Sequence, residues 1–301
     1  MNKLLTVLLS FSLMACTGTI KSADDTAPSA AEQAPQARLV TASNALTGAL
    51  LPMLDAKDEN VLFSPISLSA AFGLAHPGAV GKTAREMEQL FGFSDAAVTG
   101  SLMADLQSDN ELAKLILANA AWITDRYPLR QSYLDTIDDA MQAGIQVVDF
   151  VQSDSAAKTI NDWIADKTNQ RIQNLISPSV LTKKTSMILT NAVWFKAKWE
   201  SLEIFTTQKR PFYRSADEPQ QADMMGFKMS RHRYLETPLY QAVDLDYKGG
   251  KFALTIVLPK ARNGLADVEA KLGADGLAHV ALELEQSEQR PVSLDMPKIT
   301  M

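Results

Sequence analysis

The residues Gly78-Ala79-Val80-Gly81-Lys82-Thr83 end in the Gly-Lys-Thr that closes phosphate-binding loops. Such a loop cradles phosphate oxygens with backbone N–H groups, and it needs a glycine five residues before Gly81 and a strand leading in. His76 stands where that glycine belongs, and the preceding segment has the pattern of a helix. The glycines therefore read as a tight corner between two helices. His76, His232 and His279 are scattered, without an i, i+4 partner or a carboxylate at ligand spacing, and read as structural or surface residues. No G-x-S-x-G elbow occurs. Asp24-Asp25, Asp138-Asp139 and the run from Glu283 to Glu288 read as solvated surface. Cys16 is the single cysteine, so no intrachain disulfide and no multi-cysteine metal site can form. Trp122, Trp163, Trp194 and Trp199 lie in apolar periodic segments and are expected in the core. The chain is not expected to be an enzyme, and no residue set calls for a metal or cofactor.

With 46% hydrophobic and 21% charged residues over 301 positions, the composition is that of an ordinary globular protein able to bury a large core. The net charge is −6 and no Lys/Arg cluster could neutralise a row of phosphates, so nucleic acid is not an expected partner. The first sixteen residues stand apart. Lys3 is followed by the apolar run Leu4 to Leu13, and Leu13-Met14-Ala15-Cys16 closes it. This reads as an export signal over residues 1–16, too short to span a bilayer permanently. Its last four residues resemble the lipobox of bacterial lipoproteins, in which the cysteine becomes a lipidated N-terminus. Cys16 would then anchor the chain in the cell envelope, periplasmic or cell-surface, with the membrane as a partner. Residues 17–37, rich in Ala, Ser, Thr, Pro and Asp, are expected to form a flexible tether. Residues 38–301 read as one domain.

Helical spacing of Leu39, Leu46, Leu50, Met53 and Leu54 predicts a first helix that Pro52 ends or kinks. Asn60 to Phe63 suggests a short strand. Ser64-Pro65 then looks like an N-cap with proline at the first helical position, opening a helix apolar on most faces and expected to be buried. Thr83 and Glu86 have capping-box spacing. Leu112 to Thr124 reads as a strand covered on both faces, followed by a helix over 131–143 and a strand over 145–150. Ile160 to Ile176 traces one face of a long helix. Ser186 to Trp199 is the strongest strand and is expected near the centre of a large sheet. Val243 to Tyr247 and Phe252 to Leu258 alternate on either side of Gly249-Gly250 and predict a hairpin. The fold class is α+β.

Taken together, several segments resemble the serpin family, in order and at similar spacing. They are Asn60 to Leu68 (NVLFSPISL), Gly78 to Thr83, Leu117-Ala118-Asn119-Ala120, Ile160 to Ile164 with Thr168 and Arg171-Ile172, and Thr190 to Trp199 (TNAVWFKAKW). Met224-Met225, Ile256 to Pro259 and Met296-Pro297-Lys298 follow. The resemblance implies a large mixed central sheet, smaller sheets and about eight helices. It implies inhibition of serine, and in some members cysteine, proteases by a suicide-substrate mechanism: the protease cuts an exposed loop, and the loop inserts into the central sheet while carrying the acylated protease with it. By matching positions, Ser64, Ser67 and Asn191 belong to the shutter beneath the opening sheet, and Trp199 to the breach where insertion begins. Ala197 stands where the family usually has glycine. The pattern after Lys298 is expected to continue through a helix, a fifth sheet strand, a hinge, the reactive loop and closing strands. The 301 residues are therefore expected not to trap a protease by themselves. Two other readings are a serpin-fold binding protein without inhibitory action and a lipid-anchored solute-binding protein with two α/β lobes.

Overall fold

A computed structural model describes residues 7–8, 34–54, 61–141, 144–213, 219–273 and 276–299. The chain divides into two compact units, a helical one from Ala23–Ser43 with Ser64–Lys196, and a β-rich one from Met1–Ser22, Asn44–Phe63 and Ala197–Met301.

The helical unit opens with α1 (Pro35–Leu50), a helix shared with the other unit, whose buried stripe Leu39, Ser43, Leu46 and Thr47 follows the helical repeat. It starts at Pro35, so the last three residues of the expected tether are helical. A 3₁₀ turn over Leu51–Met53 follows it, with Pro52 inside. Next come α2 (Pro65–Ala75), α3 (Gly81–Phe91), α4 (Ala96–Leu106), β2 (Ser108–Asp109), β3 (Ala113–Ile123), α5 (Gln131–Met141), β4 (Gly144–Val147), α6 (Ser153–Lys167) and β5 (Met187–Ala197). β3 is the spine of this unit. β4 runs parallel to its second half, with Ala120 opposite Gly144 and Ile123 opposite Val147, and β5 lies along its other side. Period-2 alternation sends Ala120 and Trp122 to one face, where Ile160 and Ile164 of α6 cover them with Phe150 and Leu181. Ala121 and Ile123 go to the other face, against Leu74 of α2 and Tyr133 and Ile137 of α5. Cover on both faces is why this strand reads as a near-continuous apolar run.

In the β-rich unit, β8 (Ser230–Glu236), β9 (Tyr240–Asp246) and β10 (Ala253–Pro259) form an antiparallel sheet. It is extended at its edges by β1 (Val7–Leu8) on β10 and β11 (Gln289–Val292) on β8. β6 (Ile204–Tyr213), β7 (Pro219–Phe227) and β12 (Asp295–Pro297) form a second antiparallel sheet. The β9–β10 turn uses Gly249 and Gly250 at φ 90° and 67°, a region open to glycine and costly for other residues. Helices α7 (Leu265–Lys271) and α8 (Gly276–Gln286) bury Val268, Val280 and Leu284 against Tyr240, Ala242 and Val257 of the sheet. Eight α-helices and three sheets among the described residues match the expected α+β class.

Several expectations are corrected. Residues 61–63 are not a strand, and Asn60 lies outside the described residues. α2 is half-covered, with Phe72 exposed and stacked on Phe91 at 4.9 Å. Thr83 caps nothing: α3 begins at Gly81 (φ 62°) behind Val80, which makes no side-chain cap, and Glu86 pairs with Lys82 at 3.3 Å. The long helix ends at Lys167, where the Thr168 hydroxyl donates to the Ile164 carbonyl (2.7 Å) and Asn169 and Gln170 turn left-handed. β5 is mostly half-buried. It pairs only with β3 among the described strands, so it stands at the edge of the observed sheet and not at its centre.

Candidate functional site

The seam between β3 and β5 is closed by side chains as well as backbone. The Asn191 amide donates to Asn119 Oδ1 at 2.7 Å, and Trp122 Nε1 donates to Thr190 Oγ1 at 2.9 Å. The Thr190 hydroxyl in turn donates to the Ala120 carbonyl at 3.4 Å, and Thr124 N–H to the Ser186 carbonyl at 3.1 Å. These contacts run in opposite directions along the two strands, so β5 is antiparallel to β3. Trp122 is fully buried and meets Trp163 of α6 edge-on at 5.8 Å. Asn161 of the same helix grips Ile176 in both directions, its amide donating to the carbonyl and its oxygen accepting the N–H, each at 2.8 Å. That clamp folds the chain after α6 back along the helix.

Ser64 caps α2 by accepting the Ser67 N–H at 3.3 Å, and Ser67 Oγ donates to Ser64 Oγ at 2.8 Å. The two serines thus form one pair, while Asn191 bonds across the seam to Asn119. Asn119, Thr190 and Trp122 complete the seam and were not singled out as site residues from the sequence. The usable signal was an asparagine in the middle of an otherwise apolar strand, a position where a polar group needs a dedicated partner.

Trp199 belongs to the β-rich unit. It forms a single antiparallel bridge with Tyr247, and the rings stack with centroids 4.1 Å apart. Glu200 N–H donates to the Asp246 carbonyl and Lys248 N–H to the Lys198 carbonyl, fixing the segment on either side. Burial pushes the Tyr247 hydroxyl up to about 12, so it stays protonated. Beside it, Arg233 donates to Asp246 at 2.7 Å and lies 3.6 Å from Asp244. Burial raises the Asp244 carboxyl, opposed by a 2.6 Å bond from Thr255 and by Arg233. These are structural anchors, held by mutual pairing.

The histidines have structural or surface settings. His232 is buried, 2.6 Å from Ser230 Oγ, with its pKa lowered by burial and partly restored by Asp246. His76 lies 3.5 Å from Glu88 and 5.0 Å from the Phe93 ring. His279 does have an i, i+4 partner, Glu283 at 3.2 Å, which corrects the sequence reading. No group of three potential metal ligands exists among the described residues, and no described helix is long and apolar enough to cross a membrane. Cys16 lies outside the described residues.

A strand pair, β3 and β5, gripped from one face by α6, with a far edge on β5 that no described strand pairs, defines a scaffold of the serpin type. The chain belongs to the serpin (serine protease inhibitor) family, whose model matches residues 41–301. It is 32% identical to iripin-3 of Ixodes ricinus over 273 residues, covering 87% of this chain and 68% of that protein. It is also 32% identical to an uncharacterized serpin-like protein of Methanosarcina mazei, covering 68% of this chain and 50% of that one. The chain thus spans about half to two thirds of the length of these curated relatives. Among solved structures, a cleaved serpin 42Da superposes with a TM-score of 0.78 at 28% identity, covering 88% of this chain and 71% of the other. Uncleaved ovalbumin shares the fold at a TM-score of 0.78 and 22% identity, over 87% and 76%. Family membership and the antiparallel sheets replace the expectation of a two-lobed solute-binding protein.

Proposed function

We propose that these residues supply the strand-accepting sheet of a suicide-substrate inhibitor of serine proteases, the inhibitory step itself needing a hinge and reactive loop. The carrying observation is the far edge of β5, which no described strand pairs. A strand laid there would bond to this edge and cover Met187 and the half-buried Ile188, Leu189 and Val193. Strand addition of this kind gains backbone hydrogen bonds and apolar burial together. The Asn191–Asn119 and Thr190–Trp122 contacts hold β5 on β3 while its other side receives the strand.

The 301-residue polypeptide is expected to trap no protease by itself, since the resemblance supplies no hinge or reactive loop within it. Incubation with chymotrypsin-like and subtilisin-like proteases should leave no complex in denaturing electrophoresis, and a surviving complex would refute this. The same assay on a chain extended by a serpin hinge, loop and closing strands tests inhibition itself. A stable complex supports it; a folded extended chain that is only cleaved favours the reading as a serpin-fold binding protein.

The lipobox-like Leu13-Met14-Ala15-Cys16 supports lipid anchoring in the bacterial envelope. Cys16→Ser is expected to move the protein expressed in a lipoprotein-processing bacterium from the membrane to the soluble fraction. Unchanged partition would count against the anchor.

A further inference from the structure

We infer that the outer edge of β4 is a docking edge for an extended, basic peptide segment of another protein. Among the described strands β4 pairs only with β3. Val148 N–H donates to the Ile123 carbonyl at 2.8 Å. In parallel pairing every second residue bonds inward, so the N–H and C=O groups of Ile145 and Val147 face away from β3. Native sheets commonly guard such an edge with lysine or proline. Gly144-Ile145-Gln146-Val147 carries neither, and Val147 is 65% exposed, with Val151 close behind it at 61%.

The ends of the strand open onto two hollows. One, of about 250 Å³, lies against α5 and is lined by Leu134, Asp135, Asp138 and Ile145. The other, of about 230 Å³, lies against α6 and is lined by Val147, Asp149 and Gln152 among others. A strand added along β4 would lay its alternate side chains towards these hollows. Neither lining contains a lysine or arginine, whereas three carboxylates reach them. Asp135 accepts from Gln131 and Asp149 from Val151 N–H and Gln152, neutral donors that leave both charges uncompensated. Charge complementarity therefore selects Lys- or Arg-bearing segments with apolar residues between the basic ones. This site is separate from the β5 edge and does not depend on the inhibitory reading.

The test is fluorescence anisotropy of a labelled octapeptide alternating valine and lysine, titrated with the 301-residue protein. Saturable binding is expected, weakened about tenfold by Asp135→Asn with Asp138→Asn, and about tenfold by Val147→Lys. Because these positions are exposed or half-exposed, circular dichroism should show both variants folded. An otherwise identical peptide with prolines in place of its valines lacks the pairing N–H groups and should not bind, and a valine–glutamate peptide should not bind either. No binding by the lysine peptide overturns the proposal, as does equal binding by the proline peptide, which would mean diffuse charge attraction. Sedimentation showing self-association that Val147→Lys abolishes would assign the edge to a second copy of this chain and overturn the peptide as its occupant.

Discussion

Trp122→Ala is expected to lower the stability of the protein by about 4 kcal/mol, the range for removing a large aromatic from a closed core. Trp122 is fully buried between Ala156, Ile160 and Ile164 of α6 and the sheet, and it meets Trp163 edge-on. The substitution removes that volume and also the indole donor to Thr190. Trp122→Phe separates the two contributions. It keeps most of the apolar volume and loses the donor, while Thr190 retains the Ala120 carbonyl, so about 1–2 kcal/mol is expected. Urea unfolding measures both. A loss below about 1 kcal/mol for Trp122→Ala would show that this side chain does not hold β5 to β3.

Gly100→Ala should cost nearly as much by the opposite mechanism. A Cβ at Gly100 on α4 would lie 1.7 Å from the Ala140 carbonyl oxygen and 2.7 Å from its carbon, both backbone atoms of α5. No rotamer change relieves a clash with backbone, so the two helices must separate. Overpacking of this severity costs about 3 kcal/mol. In a protein of this size that corresponds to a fall in Tm of roughly 6–12 °C. Gly81→Ala is a useful contrast, since its Cβ would meet nothing within 4 Å and only its left-handed φ of 62° is penalised. A Tm shift at Gly100 no larger than at Gly81 would refute the close helix contact.

Much of this architecture was readable from residue order. The run Leu112–Thr124 had to be covered on both faces, and α6 with Leu181 on one side and α2 with α5 on the other provide that cover. Ser64 and Pro65 announced the start of α2, and Gly249-Gly250 the β9–β10 turn. The failures share a cause. Thr83 and Glu86 have the spacing of a cap, but the helix already starts at Gly81, in a left-handed conformation, which leaves Thr83 inside it. The apolar spacing of Ile160 to Ile176 continues through the end of α6, because the chain turns back along the helix and Ile176 packs on the same cluster. Periodicity cannot tell a continuing helix from a returning loop. At the candidate site, Asn191 was legible, but Asn119 required knowing which strands are neighbours. Their pairing is a fact of topology that no local pattern carries.

The seam also bears on time. Its side-chain contacts join residues 68 to 72 positions apart, and so none of them can form until the chain has been made through Thr190. Contacts of such separation close slowly, because the intervening loop must be ordered before any contact repays it. Closure of the β3–β5 seam is therefore expected to come after the helices and tight turns, whose contacts are local, and to set the pace at which this unit folds.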